Sequence, residues 1–165
     1  MKKYLSLPVF ITILSVLLIS CKSNPSYAND IPCDTLVKSI LQASKNDIEY
    51  QKYAQSDLVY ILPNVKEYKE CSVLYSTETN DINEIGVFLC ESEEDASLLL
   101  STLVSHIDDQ KISQRAFISS YAPSELTKLD GAVAKKFGQY VIYLVTDPND
   151  HQTIFKAVQN TLKAN

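Results

Sequence analysis

Apolar residues fall into three patterns along this chain, and each predicts a different element. The first is a largely apolar run of eleven, Val9 to Ile19, preceded by Lys2 and Lys3. It is too short to cross a bilayer, which takes about 20 residues, but it matches the apolar segment of a secretory signal. The second is a stripe at every third and fourth position. Leu36, Val37, Ile40 and Leu41 predict a helix that starts near Asp30 to Asp34 and runs to Ser44. Ala96, Leu99, Leu100, Leu103 and Ile107 predict another from Glu93 to about Ser120, and Ile154, Phe155, Val158 and Leu162 a last one. The third pattern is short runs rich in β-branched and aromatic residues. Glu70–Ser76, Glu84–Glu91, Ala132–Phe137 and Tyr140–Thr146 read as strands. Residues 46–69 are less regular, with a short helix expected over Asp57–Leu62 before Pro63.

The boundaries carry their own chemistry. Ser92 suits a helix cap, and the acids that come after it suit the positive end of the helix dipole. Asp147-Pro148 opens the last helix in the same way. Leu129-Asp130-Gly131 reads as a turn, and Gly138-Gln139 as a tight hairpin with glycine at its first central position. The stretch Asp108 to Arg115 is polar even where the stripe passes, at Gln110 and Gln114. A helix of about 28 residues spans about 42 Å and a strand of about eight spans about 27 Å, so the second half should overhang the sheet. The overhang explains the polarity without a special role. The order α-β-β-α-β-β-α predicts one α+β domain over residues 30–165. Its four-stranded, mainly antiparallel sheet is packed by helices, with Tyr140–Val145 central and covered on both faces.

Composition narrows the function. Net charge is -5, and -7 once the leader's two lysines are removed, which argues against a nucleic-acid partner. The 3 glycines, Gly86, Gly131 and Gly138, are too dispersed for a phosphate-binding loop. No cofactor or metal motif is present in the sequence. Asp147, Asp150 and His151 could face a cation, but a helix cap explains the first two. His106 lacks a named nucleophile and reads as an exposed helix residue.

Leu18-Ile19-Ser20-Cys21 resembles the lipobox of bacterial lipoproteins: branched, small, then cysteine. The resemblance implies that residues 1–20 are a signal peptide and that the Cys21 sulfur is lipidated. Residues 21–29 are then the lipidated cysteine and a polar tether. Two acyl chains would hold the domain on the outer face of the cell membrane. Cys33, Cys71 and Cys90 remain, an odd set for an oxidising compartment. If the connection between the first two strands is symmetric about Asn80 and Asp81, Cys71 lies opposite Cys90 and the two could bridge. Otherwise they pack as free thiols.

Several segments together resemble the bacterial domain-of-unknown-function family 4358, small lipoproteins and secreted domains. They are Glu84-Ile85-Gly86-Val87-Phe88, Glu94-Asp95-Ala96, Tyr121-Ala122-Pro123-Ser124-Glu125, Leu129-Asp130-Gly131-Ala132-Val133 and Gly138-Gln139-Tyr140-Val141-Ile142. The likeness spans about Cys33 to Leu162. It implies an extracytoplasmic α+β domain and brings no catalytic motif.

The candidate binding surface is the tyrosine-rich connector, with Tyr50, Tyr53, Tyr60 and Tyr68, since tyrosine is favoured at interfaces. The acidic run Glu91, Glu93, Glu94 and Asp95 reads as dipole complement, with a basic partner as the alternative. The expected role is a non-enzymatic binding or accessory module of the cell envelope. It would touch the membrane through Cys21 and an envelope protein or small ligand through its domain. The alternatives are an extracytoplasmic hydrolase with an unrecognised site and a small solute-binding accessory of a transporter.

Overall fold

A computed structural model describes residues 26–44 and 46–163 of the chain. The expected signal peptide, the lipidation site Cys21 and the tether up to residue 25 lie outside the described residues. Helix α1 (Cys33–Ser44) leads into strand β1 (Tyr50–Lys52) and the short helix α2 (Leu58–Ile61). Strands β2 (Glu70–Ser76) and β3 (Glu84–Leu89) come next, then helices α3 (Glu93–Ser113), α4 (Arg115–Tyr121) and α5 (Leu126–Gly131). Strands β4 (Val133–Phe137) and β5 (Tyr140–Val145) form a hairpin, and α6 (His151–Lys163) closes the domain. Among the described residues no helix is long and apolar enough to cross a membrane.

The architecture is α+β, but the sheet has five strands in the order β1-β2-β3-β5-β4, not four. Every neighbouring pair is antiparallel. The added strand is β1, which pairs Tyr50 with Ser76 and Lys52 with Leu74 at the sheet edge. Three residues are too few to display alternation, so the pattern of apolar positions does not reveal it. Strand β5 lies between β3 and β4 and is buried at all six positions.

Strand alternation divides the core in two. Ile85, Val87, Ile142 and Leu144 point to a layer formed by α1 and α6, with Leu36, Ile40, Ile154 and Val158. Phe88, Val141, Tyr143 and Val145 point to the other layer, formed by α3, with Ala96, Leu99, Leu103 and Ile107. Ser92 caps α3, its Oγ accepting from the Asp95 amide at 3.0 Å.

Two further expectations are corrected. The helix expected from Glu93 to Ser120 bends at Gln114 and continues as α4, which folds back beside α5. The bend brings Ile118 to a buried position, where a straight helix would have left the segment over solvent. The turn expected at Leu129–Gly131 is the end of α5. Gly131 is needed there for close approach: a Cβ at that position would collide with the Pro148 ring. At the β4–β5 turn, Gly138 has φ +59, a conformation that costs little only for glycine.

The tether's last residues belong to the domain. Tyr27 packs edge-on to Phe137, with ring centroids 5.8 Å apart, and its Oη accepts from the Gln159 amide at 3.0 Å. The Ala28 amide donates to the Leu162 carbonyl at 3.0 Å. The chain thus enters at the β4–β5 turn.

Candidate functional site

At the opposite end of the sheet, where α3 bends away, the second core layer opens into a cavity of about 270 Å³. Its floor is strand: Tyr75 and Ser76 of β2, Glu84 of β3, Tyr143 and Val145 of β5. Its roof is helix: Ile107, Gln110 and Gln114 of α3 and its bend, then Phe117 and Ile118 of α4. Tyr53, just beyond β1, closes one side and stacks on Tyr75 with ring centroids 4.3 Å apart. The polar stretch of α3 therefore does not overhang solvent alone. Gln110 and Gln114 stand at stripe positions and face this cavity.

Glu84 is the unusual member. It pairs with Tyr75 on one side and Val145 on the other, at the start of an otherwise apolar strand. The residue keeps partial exposure, but its Oε1 is shut off from solvent and has no hydrogen-bond partner. Desolvation raises the carboxyl pKa from 4.5 to about 7. The phenols around it share the effect. Tyr53 is pushed up to about 12, by burial first and then by the charge of Glu84. Tyr143 is raised well above its ordinary value for the same two reasons. Behind Tyr143 lies His106, half-buried rather than exposed, with its ring edge-on at 6.1 Å. Burial lowers the His106 pKa against the opposing charge of Asp109.

The rim is tied down by charge. Lys128 of α5 bridges Glu125 at 2.7 Å and Asp81 at 3.3 Å. Burial works against the charge on Lys128, but Glu125 and Asp81 outweigh it and raise its pKa. Asp81 Oδ1 also accepts from the Asn83 amide at 2.6 Å, and Glu125 Oε2 from the Ile82 amide at 3.3 Å. Residues 81–83, which lead into Glu84, are thereby fastened to α5.

The four connector tyrosines do not form one surface. Tyr50 packs against the α1/α6 layer, while Tyr53 and Tyr68 pack on the α3 side. Tyr68 stands edge-on to Phe88, and its Oη accepts from the Gln55 amide at 2.7 Å. Tyr60 is 82% exposed beside a separate shallow groove that includes His106. Tyr53 alone of the four lines the cavity, where it meets Tyr75 and Tyr143.

The cysteines also depart from the expected register. Cys71 lies opposite Phe88, not Cys90, because the β2–β3 register is centred about one residue earlier than expected. Cys33, Cys71 and Cys90 are free thiols. Burial raises the Cys33 pKa far above the usual range, with Glu70 adding to it, and that of Cys90 to about 11. Asp147 caps its turn by accepting from the Asn149 amide at 2.9 Å, and His151 contacts Thr146 Oγ1 at 3.1 Å. Among the described residues no group of three metal-ligating side chains converges.

No known family model matches this chain, and no curated protein or solved structure is significantly similar to it. The site therefore rests on its own geometry. Sequence reasoning passed over Glu84, Tyr75 and Tyr143 as strand residues and Gln110 and Gln114 as overhang. The available signal was an acid opening an apolar strand, together with two amides on an apolar stripe.

Proposed function

We propose that this chain is a lipid-anchored lipoprotein of the outer face of the cell membrane, and that its domain binds a small ligand in the cavity around Glu84. The carrying observation is the enclosed carboxyl oxygen without a partner. A buried acceptor left unpaired costs about 1–3 kcal/mol, so folding alone favours its replacement. It lies beside four aromatic rings and three amides, Asn83, Gln110 and Gln114, in a mainly apolar lining with a few polar groups, as small-molecule sites have. The other carboxyl of the lining, Asp81, is held by Asn83 and Lys128, and the Ser76 hydroxyl accepts from the Glu78 amide. Neither is poised to act with Glu84 as a catalytic pair, which favours binding over hydrolysis.

The anchor gives this site a direction. Cys21 precedes Tyr27 by six residues, at most about 22 Å of chain. Tyr27 sits on the β4–β5 turn, and the cavity lies at the other end of those strands. A lipid on Cys21 would hold the turn toward the membrane and leave the cavity facing away. Resemblance to family 4358 accords with an extracytoplasmic domain and assigns no residue.

Replacing Cys21 by serine tests the anchor. The full chain should move from the membrane fraction to the soluble or secreted fraction; unchanged membrane retention would refute lipidation at Cys21. For the cavity, Ala132→Phe, at a lining position just before β4, should fill part of the space. Reduced uptake of small amphiphiles in native mass spectrometry is the expected result. Equal uptake by the two proteins would place the ligand elsewhere.

A further inference from the structure

The chemistry of the lining selects among small ligands. Tyr53, Tyr75, Tyr143 and Phe117 present aromatic surface, Glu84 presents a carboxylate, and no lysine, arginine or histidine is among the lining residues. The nearest fixed charges add to the negative side, since Lys128 is shared between two carboxylates, Asp81 and Glu125. Aromatic faces attract cations, and more strongly where water is excluded. A carboxylate acceptor without a partner calls for a donor, and a charged N–H donor makes the strongest bond to it. An anionic ligand would meet like charge with no cationic side chain to receive it.

We propose that the cavity takes a protonated organic amine, its ammonium group donating to the Glu84 carboxylate and its apolar body lying among Tyr53, Tyr75, Tyr143 and Phe117. This rests on the reading of the cavity as a small-ligand site and narrows it to one chemical class. The cavity volume of about 270 Å³ admits an arylalkylamine. Gln110 and Gln114, on the roof, are placed to accept a second ammonium N–H or to bond a polar group on the ligand's body.

The test compares 2-phenylethylammonium with 2-phenylethanol, which has nearly the same shape and no charge. Binding is measured by calorimetry on the full chain in non-ionic detergent at pH 8, where the amine is protonated and Glu84 ionised. The amine should bind at least about tenfold more tightly than the alcohol. Glu84→Gln, which keeps the shape, should remove that preference. Tyr53→Leu should weaken the amine about threefold or more while circular dichroism stays unchanged. Equal or tighter binding of the alcohol would overturn the amine assignment and leave a neutral-ligand site. Failure of both probes, with Ala132→Phe indistinguishable from wild type in native mass spectrometry, would overturn the cavity reading as well.

Discussion

Helices α1 and α6 cover one face of the sheet with Leu36, Ile40, Ile154 and Val158, and that layer closes over the strands, although the Tyr50 phenol packed against it is also buried without a partner. On the other face α3 begins in the same way, with Ala96, Leu99 and Leu103, and then bends away at Gln114. Gln110, Gln114 and an enclosed Glu84 stand where a continued core would have placed leucines. The same strands serve both layers, so the sheet itself does not impose the difference. A layer built for stability alone would have closed over the end of the sheet. This one stays open around a group that is costly to enclose, as binding sites commonly do.

Matched truncations should expose that difference most strongly. Ile142→Ala removes a fully buried side chain from the closed layer and should cost about 4 kcal/mol in urea unfolding. Ile107→Ala, equally apolar but on the cavity wall, should cost about 2 kcal/mol, because part of its surroundings is already void. Equal losses would mean that the two layers are packed alike.

Glu84→Gln is expected to run the other way and stabilise the protein. The native carboxyl titrates at about 7 and the ordinary value is 4.5. Between those values the native state holds the proton that the unfolded state has lost. Stability therefore falls as pH rises through this window and levels off above it. At pH 8 the variant should gain on the order of 3 kcal/mol, and at pH 4 almost nothing. His106 and His151, both lowered by burial, add stability as pH rises through the acidic range. Only the difference between variant and wild type isolates Glu84. A variant no more stable than wild type at pH 8 would mean that the carboxyl is solvated.

Lys128→Met should have a smaller effect, a loss of about 2 kcal/mol, since it strands the partly buried carboxylates of Asp81 and Glu125. The amides of Ile82 and Asn83 should then exchange faster with solvent than those of β5. Unchanged exchange there would show that the ion pairs do not fasten the rim.

Legibility in the sequence depends on which signals are local. Ser92, Gly138 and the stripes of α1 and α6 act within a turn or two of chain, and the elements they mark appear where the pattern places them. Strand β1 was not legible, because its three residues are held by β2 and not by any pattern of their own. The Cys71 register failed because the β2–β3 connection is centred between Thr79 and Asn80, one residue before the centre that the sequence suggested. The cavity is a meeting of Tyr53, Glu84, Gln110 and Tyr143, residues from four separate segments. Each had an ordinary local explanation as a connector, strand or helix residue. The shortfall of Glu84 Oε1, a buried acceptor without a donor, exists only in three dimensions.

The most direct test is the titration of Glu84 itself, monitored by carboxyl carbon NMR with and without 2-phenylethylammonium. The account predicts a midpoint near 7 in the free protein, falling toward the ordinary carboxylate value of 4.5 as the amine saturates the site. A free-protein midpoint already at 4.5 would contradict the enclosed, partnerless carboxyl on which the site is built.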